Sequence, residues 1–150
     1  MDLILWRHAE AEPGEPDLGR RLTSKGLKQA ERMAAWLDSH LPDTCRVLVS
    51  PADRAQQTAL ALKRKFRTVP ELAPGASVGA VLAAANWPDS REPVLIVGHQ
   101  PTIGYVASFL LSGEEAYWSV RKGAVWWLSN RAREDGAAVV LKVAVAPDFV

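Results

Sequence analysis

The sequence predicts a three-layer α/β/α sandwich around a mostly parallel central sheet with an antiparallel edge. Three observations support this. The runs Leu3–Trp6, Arg46–Val49 (RVLV) and Pro93–Val97 (PVLIV) are short and largely apolar, as strands buried on both faces of a parallel sheet are. Stretches with helical apolar periodicity separate them, giving the strand–helix alternation of an α/β sheet covered on both sides. Two more strand-like runs close the chain with only a short link between them, which suits an antiparallel edge.

Taken in order, Leu3–Trp6 is the first strand, and Ala9–Arg21, broken by Pro13, Gly14, Pro16 and Gly19, is a loop. Leu27, Ala30, Ala34, Leu37 and Leu41 then mark one helix face, with Thr23 or Ser24 as cap and Pro42 as stop. After the strand Arg46–Val49, Ser50-Pro51 reads as a helix opening, with proline at the first helical position. Ala52, Ala55, Ala59, Leu62 and Phe66 carry that helix on, and Lys63-Arg64-Lys65 falls in its last turn, where cations complement the dipole. Thr68–Leu72 reads as a short strand, and Val78, Val81, Leu82 and Ala85 as a short helix. Pro93–Val97 ends at Gly98-His99, and Pro101 opens a helix with Ile103, Val106, Ala107, Leu110 and Leu111 on one face. Ala124–Leu128 and Ala138–Val145 are the last strands, around a turn region at Asn130–Gly136.

The 150 residues suffice for one domain, read here as spanning 1–150. With 48% apolar and 23% charged residues the composition is that of a globular protein. The formal net charge of +1 supplies no broad positive field for nucleic acid or anionic membrane. Cys45 is the only cysteine, which excludes an internal disulfide and a thiolate zinc cluster. The start MDLILWRHAE lacks the features of a signal peptide, and no apolar run reaches a bilayer's span, so a cytoplasmic location is expected.

Ligands of open α/β sheets bind beyond the carboxyl ends of the strands. Those ends carry Arg7-His8, Ser50 (with Arg54 in the following helix) and Gly98-His99, beside helix N-termini with unpaired N–H groups. Arg20 or Arg21 sits in the loop over the same edge. Guanidinium forks match phosphoryl oxygens two at a time, so this set suggests an anion site with phosphate as its natural ligand. Neighbouring cations should hold its imidazoles neutral, with the lone pair that attack on phosphorus requires. Zinc held by His8 and His99 is disfavoured by the adjacent arginines and by the lack of a third ligand. His40, at a helix end, reads as structural; Trp6 reads as core. Trp126-Trp127 suits edge-strand packing or a binding surface, and Gly113–Lys122 a pocket rim or partner surface.

The stretches LILWRHAEAE, RLTSKG, VLVSPADRAQQTA and VLIVGHQPTIG resemble, in order and placement, the signatures of the histidine phosphatase superfamily, which has the phosphoglycerate-mutase-like fold. The short length, without a cap insertion, is most similar to its SixA-type phosphohistidine phosphatase branch. The resemblance implies that His8 becomes phosphorylated. It further implies that Arg7, Arg54 and His99 hold the phosphoryl oxygens, that Arg20 (or Arg21) contacts phosphate, and that Ser50 contributes a hydroxyl. It implies no metal and no cofactor. Ala9 departs from the family's usual Arg-His-Gly, and if the turn there needs a positive φ, alanine would strain it.

The acid for the leaving group is open among Glu10, Asp17 and Glu71; Asp17 matches an aspartate of the branch. Phosphohistidine has a leaving imidazole that titrates near neutrality, so such a substrate needs no strong dedicated acid. The expected function is thus a cofactor-independent phosphatase with a phosphohistidine intermediate, acting on a phosphorylated protein such as a histidine phosphotransfer-type domain. The alternatives are a phosphatase for a small phosphoester and a catalytically silent phosphate-binding adaptor.

Overall fold

A six-stranded sheet in the order β3-β2-β4-β1-β5-β6 forms the middle layer of the computed structural model, which describes residues 1–133 and 136–150. Its strands are β1 (Asp2–Arg7), β2 (Arg46–Val49), β3 (Arg67–Thr68), β4 (Val94–Gly98), β5 (Val125–Arg133) and β6 (Gly136–Val145). β1, β2, β3 and β4 pair in parallel; β5 pairs antiparallel with both β1 and β6. The helices are α1 (Ser24–His40), α2 (Asp53–Leu60), α3 (Val78–Ala84) and α4 (Thr102–Ser112).

Alternation along the strands sorts the core into two layers. Leu3, Leu5, Leu48, Val94 and Ile96 point to one face, where Val78 and Val81 of α3 and Ile103, Val106 and Ala107 of α4 cover them. Ile4, Trp6, Val47, Val49, Leu95 and Val97 point to the other, under Met33 and Leu37 of α1 and Ala55 and Ala59 of α2. The expected sandwich with an antiparallel edge is therefore the observed fold.

Several local expectations are corrected. Ser50-Pro51 does not open α2: the helix begins at Asp53, its N-cap Ala52 makes no side-chain cap bond, and the Ser50 hydroxyl turns elsewhere. α2 ends at Leu60, and Lys63, with φ +56°, leaves helical geometry altogether, so the chain from Leu62 to Phe66 lies beyond it. Arg64 accordingly serves another helix. It donates to the Leu41 and Pro42 carbonyls and pairs with Asp38, closing the carboxyl end of α1. Of Thr68–Leu72 only Thr68 lies in a strand, the end of β3 (Arg67–Thr68), and Pro70–Leu72 winds into a 3₁₀ turn. Of the Asn130–Gly136 turn region, positions up to Arg133 and Gly136 itself belong to strands, and 134–135 lie outside the described residues.

Thr23 caps α1, accepting from the Gly26 N–H at 2.9 Å, while its own N–H donates to the Glu10 carbonyl at 3.0 Å. A Cβ at Gly26 would collide with that same carbonyl. The Leu-Thr-x-x-Gly stretch therefore docks the loop after β1 onto α1. Among the described residues no helix is long and apolar enough to cross a membrane.

Candidate active site

Strand register alone gathers the first three residues of the site. Arg7 pairs with Gly98 across the parallel β1–β4 ladder, so the residues that follow, His8 and His99, emerge side by side with ring centroids 5.1 Å apart. On the far side of β4, Val49 pairs with Val97. That brings Ser50 up to His99, its Oγ 2.7 Å from Nε2.

The His8 ring is oriented by its neighbour: Nδ1 lies 2.7 Å from the Ala9 carbonyl. A carbonyl only accepts, so Nδ1 carries the hydrogen and Nε2 of the neutral ring keeps its lone pair. Ala9 is fully buried beside Leu22 and Ala30 and is not among the positive-φ residues, so alanine brings no strain here. The Ala9 N–H donates to Thr58 Oγ1 at 3.1 Å, and that hydroxyl donates to the Arg54 carbonyl at 2.8 Å. Thr58 thereby joins the backbone after His8 to the helix that carries Arg54. Nothing in the sequence singles out Thr58 beyond its spacing of one helical turn from Arg54.

Ser50 Oγ accepts from the Ala52 N–H at 3.2 Å, which leaves its hydrogen free to donate to His99 Nε2. The Nδ1 of a neutral His99 is then an N–H donor. Burial pushes His8 down to about 4, with Arg54, Arg7 and Arg20 adding to it and the Ala9 carbonyl opposing. Burial likewise takes His99 to about 3, with His8, Arg54 and Arg7 adding and Asp17 opposing. Both rings are neutral near pH 7, as the sequence implies, but desolvation is a larger cause than the neighbouring cations.

Arg54, only 4% exposed, sits in the first turn of α2 and donates to the Asp17 carbonyl (2.7 Å) and carboxylate (3.2 Å). Arg7 donates to the Val120 carbonyl at 2.7 Å. Beyond these bonds, Arg7 Nε, Arg54 Nε and His99 Nδ1 are buried without a hydrogen-bond partner among the described residues. An unsatisfied buried donor costs about 1–3 kcal/mol, and a group of them calls for a ligand. Three donors flanking a neutral imidazole are suited to an oxyanion.

The remaining expected residues divide. Arg20 reaches the Glu12 carbonyl (2.7 Å) and the Asp17 carboxylate (3.2 Å), and its charge is felt at His8. Arg21 is turned outward, 3.9 Å from Asp53. Hydrogen bonds from Arg20 and Arg54 hold the Asp17 carboxyl below the usual carboxylate range, so in this arrangement it is an ionised partner of the arginines with no proton to give. Glu71 lies in a separate cleft with Leu48 and Arg67. Glu10 accepts from the Thr23 hydroxyl at 2.9 Å and shares a cleft wall with Arg7. His40, as expected, is a helix-end residue: Nδ1 donates to the Trp36 carbonyl and the ring stacks on Trp36.

Known proteins share this arrangement of sequence and fold. Residues 3–76 match the histidine phosphatase superfamily (branch 1). Phosphohistidine phosphatase SixA of Escherichia coli K12 is 35% identical over 123 residues, 76% of either chain. A SixA homolog of Haemophilus influenzae is 32% identical over 126 residues, covering 73% of this chain and 77% of the relative. The solved structure of the protein histidine phosphatase SixA complexed with tungstate superposes with a TM-score of 0.77, at 28% identity and over 99% of each chain. The chain belongs to the histidine phosphatase superfamily and is a SixA-like phosphatase.

Proposed function

We propose that the chain removes phosphate from phosphohistidine in a protein substrate, through a phosphohistidine intermediate on its own His8. The observation that carries this reading is the free Nε2 of His8, fixed by the Ala9 carbonyl and flanked by the unpartnered donors of Arg7, Arg54 and His99.

Two in-line displacements follow. In the first, the Nε2 lone pair forms a bond to phosphorus while the bond from phosphorus to the substrate's imidazole nitrogen breaks. That nitrogen takes a proton from solvent. The charge in such a loose transition state spreads over three phosphoryl oxygens. Arg7, Arg54 and His99 Nδ1–H stabilise it, and Arg20, on the adjacent loop, adds a further cation. In the second displacement, water attacks phosphorus on phosphorylated His8, the P–N bond breaks, and inorganic phosphate leaves.

The substrate class rests on the leaving group. None of the three carboxylates considered offers a placed proton: Asp17 is ionised between two arginines, Glu71 is in another cleft, and Glu10 is already bonded by Thr23. An imidazole leaves with a solvent proton near neutrality, whereas an alkoxide does not. We take residues 1–150 to be one domain without a cap insertion, which leaves the site open to a protein surface. A cytoplasmic location belongs to the same reading. The arrangement is tested by measuring kcat/KM for a histidine-phosphorylated phosphotransfer domain against that for p-nitrophenyl phosphate, with tungstate as competitor. At least a hundredfold preference for the phosphoprotein, with competitive inhibition of both reactions, is expected. Equal or reversed preference would establish the small-phosphoester alternative, and no turnover of either the silent adaptor.

A further inference from the structure

Charge is distributed unevenly around the site. A cleft of about 660 Å³ runs from Arg7 between the first turns of α1 and the loop 119–122. Six cations line it: Arg7, Lys25, Lys28, Arg32, Arg121 and Lys122. Only two acidic side chains oppose them, a side-chain balance of +4 in a chain whose total is +1, and Arg32 among the six is held by the Val150 main-chain oxygen at 2.7 Å. Both acids are already engaged, Glu10 lying 3.9 Å from Lys122 and Asp148 3.5 Å from Arg121. Lys25 and Lys28 are exposed and make no ion pair among the described residues. Like charges gathered this way repel one another, and the repulsion is relieved when a polyanion binds.

We infer that this cleft is the docking site for an acidic segment flanking the phosphorylated residue of the protein substrate. The inference rests on the reading that the substrate is a protein. Two observations choose this occupant. The cleft shares Arg7 with the pocket around His8, so a chain whose phosphoryl group meets Arg7 has its neighbouring residues alongside Lys25, Lys28 and Lys122. No aromatic side chain lines the cleft among the described residues, so it lacks the stacking platform on which single-stranded nucleic acid binds. Glutamate and aspartate side chains need no such platform.

The test uses two phosphohistidine peptides of equal length, one flanked by glutamates and one by glutamines, with the full-length protein and the variant Lys25→Glu/Lys28→Glu. Lys25 lies in the first turn of α1, where an acid complements the helix dipole, and Lys28 is exposed one turn on with Arg32 four residues ahead of it, so the variant does not threaten α1. The wild-type protein is expected to favour the glutamate peptide about tenfold in kcat/KM at low salt, the lower end of electrostatic steering. The preference should vanish in the variant and in 0.5 M salt (roughly a 4 Å screening length), while turnover of the glutamine peptide and of p-nitrophenyl phosphate stays within about twofold. Wild-type turnover without preference between the peptides overturns the docking site and leaves the phosphohistidine reading standing. So does inhibition by a single-stranded oligonucleotide where polyglutamate has no effect. Failure of the wild-type protein to hydrolyse either peptide, with p-nitrophenyl phosphate turned over, removes the reading of the substrate and the docking site with it.

Discussion

Arg7 stands between two anion-attracting regions that differ above all in their access to water. Inward lie His8, His99 and Arg54, none more than 9% exposed; outward lie Lys25, Lys28, Arg121 and Lys122, all exposed. Both regions favour anions. In the buried one solvent does not screen the charges, so they shift proton affinities and stabilise charge that develops during a reaction. In the exposed one the same charges are damped by water and salt, and they act on encounter. Burial, more than residue type, separates a group that does chemistry from one that attracts a partner.

That contrast is most sharply tested at His8. Replacing it with alanine removes the nucleophile and should lower turnover by at least about 10⁴-fold, with an unchanged far-UV circular dichroism spectrum. Near-normal activity would break the contrast at its inner end. Next in size is Arg54→Lys, which keeps the charge but loses the planar fork. A loss of about 10²–10³ in kcat is expected, against less than tenfold for Arg121→Ala on the exposed side. Comparable losses at the two positions would erase the distinction drawn between them.

Ser50→Ala should cost about tenfold in kcat with KM little changed, because His99 loses the hydroxyl that fixes its Nδ1–H tautomer. Threonine at position 50 should restore most of it. The smallest effect is on pH dependence. Attack needs neutral His8, so kcat/KM should be flat through neutrality and fall along an acid limb with its midpoint near pH 4. Both histidines have folded proton affinities below the ordinary 6.5, so the unfolded chain takes up protons first. Folding stability should therefore be full above about pH 6.5 and fall progressively below it toward about pH 3, which urea unfolding at several pH values reads. An acid limb at pH 6.5 would mean that burial does not control His8.

The inner region was legible in the sequence because it depends on short-range facts. All-apolar runs as short as Leu3–Trp6 suit buried strands better than helices, the carboxyl ends of such strands define where a ligand sits, and the residues at those ends are named by the chain itself. Parallel register then made His8 and His99 neighbours. The ends of α2 were not legible, since the apolar spacing from Ala52 to Phe66 continues past Leu60 while the backbone turns at Lys63. Nor could the sequence weigh desolvation against neighbouring charge at His8, which requires the packing around it. The state of Asp17 depends on how the loop Ala9–Arg21 folds over Arg54, and no periodicity encodes that. The outer region was hidden for a similar reason. Lys122 lies far along the chain from Lys25 and Lys28, all three look like ordinary surface charge, and they converge only when α1 lies beside the 119–122 loop.

The central claim is that His8 Nε2 accepts the phosphoryl group. The most direct measurement is rapid mixing with a histidine-phosphorylated phosphotransfer domain, an alkaline quench, and peptide mapping by mass spectrometry within the first turnover. A phosphoryl group on His8, attached at Nε2, acid-labile and chased away by water in later turnovers, is the predicted result. Turnover that proceeds with His8 unmodified, or with phosphate on any other side chain, would contradict it.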